Sequence, residues 1–389
     1  MVLIAFPPNI VAAAPIVLTN GQNVATPAPF QQMVSVNMLK YSSYAAPNLQ
    51  NIEFFYTDGT LIPSWLESGS SSTTAIWWLS IANGIGANSS LTVYMGFALQ
   101  SVNLFDGVNV GEAPQLSATY GQYDNGAKVF SFYDNFAGTS LSSKWTDTSG
   151  TPVVNNGLTL SYPSYIGEGS YSAPSFILDF YADITADSTI ENFSYGFITN
   201  NEQYTPSVVF NQNNIVPSSN NGYAYPWVIF SNTERTFLPN GVVGTHVYSV
   251  YWNTSICKFW WDYANEQSST TTIPAGPLPI GFFANQGSGT TFVMTWVRTR
   301  AYPPNGTMPG VTADPPLDAC AGPTYPLIVA QIVRPSLAPK GVSPKANTGS
   351  LLILQNACPA PAETLAQAQQ QLANQKYLTP AYTITLLGA

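Results

Sequence analysis

The hydrophobic and polar positions of the chain fall into short apolar runs that Gly, Pro, Ser and Asn separate from one another. Runs such as IEFFYTDGTLIPSWL, TTAIWWLSIA and SSLTVYMGFA have the length and the aromatic and β-branched content of strands. The dipeptide Asp58-Gly59 between two runs is typical of a hairpin turn. The pattern predicts an all-β chain, with an N-terminal extension at residues 1–14 and a first β-sandwich at residues 15–125.

More strand-like runs follow in the second half, among them SFILDFYADI, THVYSVYW, ICKFWWDYA and FVMTWVRTRAY. Their regular spacing predicts a second, larger sandwich at residues 126–302. The predicted fold is therefore two β-sandwich (jelly-roll) domains in tandem, followed by a small C-terminal region with one short helix.

The C-terminal region, residues 303–389, begins Pro-rich and then contains PAETLAQAQQQLANQ. Leu365, Ala368 and Leu372 would share one face of a helix there, and the strand-like YTITLL ends the chain. A lone short helix with a narrow apolar stripe is marginal in water. We therefore expect this region to dock onto a neighbouring copy or onto another surface or capsid subunit.

Charged residues make up only 8% of the chain, against roughly 25% in ordinary soluble proteins. Lys and Arg number 11 and Asp and Glu 20, so the net charge is -9 at pH 7. Below about pH 3 most carboxylates are neutral, and the scarcity of cations then limits self-repulsion. This composition indicates a protein of hot or acidic fluid outside the cytoplasm. The alternative is a neutral-pH secreted β-protein with a surface rich in Ser, Thr and Asn.

Several classes of partner are disfavoured by the same composition. No basic patch is available to neutralise phosphates, so we expect no nucleic-acid binding. No run of about 18 uninterrupted apolar residues predicts a membrane span. The N-terminal MVLIAFPPNIVAAAPIVL, interrupted by Pro, is a poor signal peptide. An exterior protein with such an N-terminus either lost its signal earlier or leaves the cell within a virus particle.

Three ordered motifs carry a family resemblance: NIEFFYTDGTLIPSWLESG, AIWWLSIANGIGANSSLTVYMGFA and VFSFYDNFAGTSLSSKW. Together they resemble an archaeal surface-protein domain of unknown function that precedes a concanavalin A-like lectin/glucanase sandwich. The closing strand of that sandwich is similar to FVMTWVRTRAYPP, and the resemblance covers roughly residues 25–305. The length and the unmatched C-terminal region also resemble turret or spike proteins of viruses that infect acidophilic archaea.

A glucanase of that resembled type would present carboxylates as Glu-x-Asp-x-x-Glu on one strand. That spacing is absent; Asp179 and Asp183 lie four residues apart, and Glu191 follows beyond a turn. His246 has no ligand or triad partner at motif spacing, so we expect a hydrogen-bonded structural residue. The sequence therefore predicts no enzymatic activity, no metal and no cofactor.

Aromatic residues form the candidate carbohydrate-binding platform. Tyr223, Tyr225 and Trp227 recur at period two beside a turn, which puts them on one face of a strand. Trp260 and Trp261 must point to opposite faces, so at most one of them faces a groove while the other enters the core. Core packing is the favoured interpretation of the tyrosine and tryptophan cluster, and the carbohydrate platform is the alternative.

The three cysteines divide between two regions. We expect a disulfide between Cys320 and Cys358, and a buried, free Cys257; the alternative is three reduced thiols.

Candidate glycosylation sites are Asn88, Asn192, Asn253 and Asn305, because each begins an Asn-x-Ser/Thr sequon.

The stretch YDNFAGTSLSSKW opens the second sandwich. Asp134 is expected to form turn hydrogen bonds, with Phe136 and Trp145 anchoring the strand in the core. On this interpretation Asp134→Asn should have little effect.

The sequence as a whole predicts a non-enzymatic structural and attachment protein on an archaeal exterior, either a virion projection or a cell-surface filament or coat. Host cell-surface glycans are possible ligands in either setting. The alternative is a carbohydrate-binding adhesin or module that uses the second sandwich.

Overall fold

The structure is a computed structural model, and it describes residues 4–71, 73–172, 174–185, 192–199, 206–212, 223–229, 234–286 and 291–318. Within these residues nearly every regular element is a β-strand. The helices are α1 (Gly126–Val129) and two 3-10 turns, Met38–Tyr41 and Pro304–Gly306. No helix in this part of the chain has both the length and the apolarity to cross a membrane. The predicted all-β class is confirmed.

The first sandwich begins with eight strands: β1 (Ala12–Asn20), β2 (Phe30–Asn37), β3 (Ile52–Phe55), β4 (Leu61–Ile62), β5 (Ser64–Leu66), β6 (Thr74–Ile81), β7 (Ser89–Phe97) and β8 (Val110–Glu112). One sheet has the order β1-β7-β3-β4 and the other β2-β6-β5-β8. From Gln32 onward, buried and more exposed residues alternate along β2, as in a strand with one face on the core. Phe54 and Trp77 meet edge to face between the sheets, with ring centroids 5.5 Å apart.

The chain returns to the first sandwich after it has completed the second. Strands β24 (Gly310–Ala313) and β25 (Leu317–Asp318) both pair with β1 and cover its outer edge. The sequence analysis assigned these residues to the C-terminal docking region because the chain becomes Pro-rich after Tyr302. In the structure these two strands instead pair with β1, which would otherwise be an open edge of the sheet.

The second sandwich contains fifteen strands: β9 (Phe132–Asp134), β10 (Asp147–Gly150), β11 (Val153–Val154), β12 (Leu158–Ser161), β13 (Ser164–Tyr171), β14 (Phe176–Ile184), β15 (Asn192–Ile198), β16 (Ser207–Gln212), β17 (Ala224–Ile229), β18 (Arg235–Phe237), β19 (Gly244–Trp252), β20 (Cys257–Trp261), β21 (Ala264–Ser269), β22 (Leu278–Gln286) and β23 (Thr291–Ala301). A seven-stranded sheet has the order β10-β13-β22-β15-β16-β17-β18. An eight-stranded sheet has the order β11-β12-β23-β14-β19-β20-β21, and β9 also pairs with β23.

Aromatic rings fill the space between these two sheets. The Phe180 ring stacks on Tyr248 and meets Phe282 edge to face, with centroid distances of 5.3 Å in both pairs. Phe136 and Trp145 lie in the same core and stack on each other at 5.8 Å, as the sequence predicts. The two tandem sandwiches predicted from the sequence are confirmed, and the outer face of the eight-stranded sheet meets the first sandwich.

Asp134 is buried, with 7% of the residue exposed, and each of its two carboxylate oxygens accepts one hydrogen bond. Its Oδ1 accepts the Phe136 backbone N–H at 2.9 Å, and its Oδ2 accepts the Trp145 Nε1–H at 2.7 Å. An asparagine has one acceptor oxygen and one NH₂ group in place of the two carboxylate oxygens. Its NH₂ group would therefore face either the Phe136 N–H or the Trp145 Nε1–H, and two donors would meet. The expectation that Asp134→Asn has little effect is therefore replaced.

We expect Asp134→Asn to lower the free energy of unfolding by about 1–3 kcal/mol, because one buried N–H loses its acceptor. Guanidinium titration followed by tryptophan fluorescence measures the loss. Asp58→Asn is the matched control, since Asp58 accepts a hydrogen bond from the Thr60 N–H at 3.0 Å in an exposed turn, and the asparagine oxygen can keep it. Equal unfolding midpoints for the two variants would contradict the expectation.

Glu53 of β3 is a buried carboxyl group, 5% exposed, whose Oε1 has no hydrogen-bond partner in the described structure. Burial, and secondarily the nearby Asp106 charge, raises the pKa of Glu53 from 4.5 to about 7. The folded state therefore prefers the protonated form.

The Glu53 contribution to stability is complete below the unfolded-state pKa and is lost as the pH rises through about 7. We expect the free energy of unfolding to fall by about 3 kcal/mol or less between pH 4 and pH 8 from this group. Glu53→Gln should flatten that part of the pH dependence, measured by denaturant titrations across the range. An unchanged slope in the variant would refute this origin.

Candidate functional site

The two sandwiches meet around a buried cation, Arg298 of β23, whose side chain is 0% exposed. Its Nη2 donates to Oε2 of Glu67, in the first sandwich, at 2.8 Å. Its Nε donates to Oδ2 of Asp179, on the neighbouring strand β14, at 3.1 Å. Because Asp179 and Arg298 are cross-strand partners, the sheet register itself places this pair together.

Four aromatic rings surround the Arg298 guanidinium. Its central carbon lies 5.1 Å from the centroid of Trp65 and 4.5 Å from those of Trp78, Phe130 and Trp296. Trp65 and Trp78 come from β5 and β6 of the first sandwich, and Trp296 comes from β23. Cation–π attraction is strongest where water is excluded, so this cage favours a charged group at the junction.

The two carboxylates have further donors around them. Glu67 Oε2 also accepts hydrogen bonds from Trp78 Nε1 and from the Tyr263 hydroxyl. Asp179 Oδ1 accepts from Ser249 Oγ at 2.7 Å, and Asp179 Oδ2 from Arg300 Nε at 2.8 Å. Burial alone would raise the pKa of Asp179, but Arg300 and Arg298 outweigh burial and lower it.

We call these four charged groups, Glu67, Asp179, Arg298 and Arg300, the junction network. Two guanidinium groups face two carboxylates, so the network is electrically neutral. Buried ions tolerate such a position only when they are paired and hydrogen-bonded. Since Glu67 belongs to one sandwich and the other three to the second, the network ties the two units together.

Sequence reasoning missed this network. It treated Asp179 with Asp183 and Glu191 as an incomplete glycosidase set; Asp179 is instead bound to two arginines, Asp183 is exposed, and Glu191 lies outside the described residues. The available signal was the run VRTRAY, in which Arg298 and Arg300 share one face of a strand.

The junction also forms an open cleft beside the network. Met33 and Trp78 line it from the first sandwich, and Trp260, Tyr263, Arg300 and Tyr302 line it from the second. Its cavity volume is about 120 Å³. Trp261, the next residue after Trp260, packs against the core of the second sandwich instead. The predicted opposite orientation of the two tryptophans is therefore confirmed.

The predicted carbohydrate platform lies on the outer face of the seven-stranded sheet. Trp227 is 1% exposed, packs with other apolar residues of that face and meets the Phe237 ring at 4.3 Å. Tyr225 is 5% exposed and Tyr223 is 37% exposed. Only Tyr223 is thus open to a ligand in the described structure, and the platform stays a prediction.

His246 makes the structural hydrogen bonds that the sequence predicts. Its Nδ1 lies 2.6 Å from Asp262 Oδ2 and its Nε2 lies 3.1 Å from the Val243 carbonyl oxygen.

Cys257 is buried and free, and burial raises the pKa of its thiol to about 12. Cys320 and Cys358 lie outside the described residues, so their disulfide stays a prediction.

The four sequons lie in different surroundings. Asn88 and Asn305 are exposed, whereas the Asn253 side chain bonds within its own turn. Asn192 begins β15, and its side chain is outside the described part of the structure. Whether any of the four carries a glycan stays a prediction.

Comparison with known sequences gives one viral relative. The chain is 27% identical over 346 residues to the uncharacterized protein 562 of Sulfolobus islandicus rod-shaped virus 1. The match covers 78% of this chain and 59% of the viral protein, so the chain spans about three fifths of its relative's length. No family model matches the chain, and the resemblance to an archaeal surface-protein domain stays an expectation.

Solved structures with a similar fold are glycosidase-like sandwiches. They include the endo-β-1,3-glucanase of Pyrococcus furiosus, with 11% identity, 44% of this chain and 94% of that chain covered, and a TM-score of 0.33. A glycoside hydrolase family 16 endo-glucanase of Bacteroides ovatus has 10% identity, 43% and 99% coverage, and a TM-score of 0.34. The pseudo β-1,3-glucanase of Mycobacterium tuberculosis has 15% identity, 44% and 98% coverage, and a TM-score of 0.34.

These structures correct one prediction. The sequence analysis excluded an enzymatic activity, and that exclusion is wrong, because endo-glucanases are among the proteins that share the fold. The likeness concerns the fold of less than half of the chain, and it assigns neither a reaction nor catalytic residues.

We expect Glu67→Gln to lower the free energy of unfolding by about 3–5 kcal/mol, because it leaves Arg298 buried with one charge partner fewer. Glu266→Gln is the matched control; Glu266 pairs with Lys258 at 2.8 Å but its side chain is 45% exposed. An exposed pair of this kind contributes about 1 kcal/mol or less. Denaturant titration compares the two variants, and equal losses would contradict the role of the junction network.

Proposed function

We propose that the chain is a structural and attachment protein on the exterior of an archaeal virus particle. The observation that carries the proposal is the junction network, in which the buried Arg298 takes Glu67 from one sandwich and Asp179 from the other. A projection that presents a binding surface away from a particle must keep its domains in a fixed orientation. A buried, paired charge with an aromatic cage provides such a fixed joint.

The sequence similarity to a protein of an archaeal rod-shaped virus supports the particle as the setting. The low charge content supports an acidic exterior, because hydroxyl and amide groups keep their hydrogen bonds at any pH. Glu53 fits the same setting, since its folded state favours the protonated carboxyl group. A cell-surface filament or coat would share these properties, and the viral relative favours the virion.

Location is tested most simply on intact particles purified from the source. Antibodies raised against residues 4–318 should label the outside of unbroken particles in electron micrographs. Labelling only after the particles are broken open, or none at all, would reject the exterior position.

We further propose that residues 319–389 dock the protein onto a neighbouring copy or another subunit. The preceding residues have another role, because β24 and β25 complete the first sandwich. A deletion that tests docking must therefore begin after Asp318, whereas one from residue 303 would also remove two strands.

We expect the chain that ends at Asp318 to lose self-association and to keep its thermal unfolding midpoint. Analytical ultracentrifugation of the full chain and of the truncated chain measures the first, and circular dichroism the second. Unchanged assembly of the truncated chain would contradict docking through this region. A lowered unfolding midpoint would instead show that residues 319–389 stabilise the sandwiches.

A second candidate function is a carbohydrate-binding adhesin or module that uses the second sandwich. One observation favours it: Tyr223 is 37% exposed at the start of β17, whose aromatic residues lie on an outer sheet face. A glycan array at pH 3 tests this candidate, and selective binding that Tyr223→Ala removes would support it.

A further inference from the structure

The junction cleft has the position of a small-molecule site, because ligand pockets commonly form where two domains meet. It receives Met33 and Trp78 from the first sandwich and Trp260, Arg300 and Tyr302 from the second. Its cavity volume is about 120 Å³, so the cleft can hold one edge of a ligand and leave the rest exposed at its open mouth. Because both units contribute its walls, the cleft depends on their mutual arrangement.

Two partly exposed rings in the cleft are fixed in place before any ligand binds. Trp260 Nε1 donates to Glu266 Oε2 at 3.0 Å, and the Lys258 Nζ lies 5.8 Å from the Trp260 ring. Tyr302 stacks on Tyr251 with a centroid distance of 3.7 Å and an interplanar angle of 8°. Groups held in this way lose little conformational entropy when a ligand binds.

Arg300 supplies hydrogen-bond donors on the inner side of the cleft. The residue is 6% exposed, and its Nε donates to Asp179 Oδ2 at 2.8 Å. Within the described structure neither of its Nη groups has a hydrogen-bond acceptor, although Trp78 and Tyr263 lie beside the guanidinium. Because Arg300 lines the cleft, a ligand oxygen there can accept hydrogen bonds from these Nη groups.

Charge balance restricts the kind of ligand. Arg298 and Arg300 are matched by Glu67 and Asp179, and Lys258 at the rim is matched by Glu266. A phosphate, sulfate or carboxylate ligand would need an excess of cations, which this cleft does not have. The balance therefore favours a neutral ligand.

We propose that the junction cleft binds a neutral saccharide, with its C–H face against Trp260 and Tyr302 and its hydroxyl oxygens accepting from Arg300. A neutral hexose unit combines an apolar face with a ring of hydroxyl groups, which matches rings, donors and the absence of net charge. The proposal rests on the attachment function proposed above, and it names the class of ligand and the surface that takes it.

The test uses the full chain on an array of neutral glucose-, mannose- and galactose-based oligosaccharides, with sulfated and uronic-acid-bearing ones beside them, at pH 3 and pH 7. We expect selective binding of neutral probes. For the strongest neutral probe, calorimetry should show that Trp260→Ala weakens binding about tenfold, whereas Trp260→Phe, which keeps a flat ring, weakens it less. Thermal unfolding of each variant verifies that it remains folded.

Tyr162→Ala is the matched control, because it removes an aromatic ring that is 53% exposed and lies outside the cleft. We expect this variant to bind like the unaltered chain. The proposal would be overturned by binding that Tyr223→Ala abolishes and Trp260→Ala leaves unchanged, by binding of charged probes alone, or by no binding to any neutral probe. None of these results bears on the exterior location, which the antibody labelling of particles tests. The two proposals can therefore fail independently.

Discussion

The need to neutralise Arg298 inside the protein is the constraint on which the arrangement of the two sandwiches depends. Removing a guanidinium from water costs several kcal/mol unless a carboxylate and further hydrogen bonds replace the water. Asp179 provides one partner from the same sheet, but Glu67 comes from the other sandwich. The outer face of the eight-stranded sheet is therefore completed only by the first sandwich, which also brings two tryptophans of the aromatic cage.

One carboxylate of the junction network keeps its charge in moderately acidic fluid. Asp179 has a lowered pKa, so its stabilising contribution is present above the unfolded-state pKa and is lost only as the pH falls through the lower folded-state value. The protein has few other charges, and its surface depends on hydroxyl and amide groups. Hydrogen bonds between hydroxyl and amide groups do not depend on the protonation of carboxylates.

Local sequence patterns predicted the parts of the structure that depend on short-range geometry. The alternation of apolar runs gave the two sandwiches, and the two-residue period of strands gave the opposite orientations of Trp260 and Trp261. Contacts between distant parts of the chain were not predictable in this way. Arg298 and Glu67 are 231 positions apart, and the pairing of β24 with β1 likewise joins opposite ends of the described chain. Nothing in a local pattern specifies which distant carboxylate will face a buried arginine.

The candidate cleft follows from the same long-range contacts, because its walls come from both sandwiches. The central claim is that both sandwiches form one fixed unit on the outside of a virus particle. Electron cryo-microscopy of intact particles from the source, with averaging of their surface projections, tests this claim most directly. The account predicts projection density that fits both sandwiches together in the orientation fixed by Arg298. Projections that lack this density, or that hold the two sandwiches in a different mutual orientation, would contradict it.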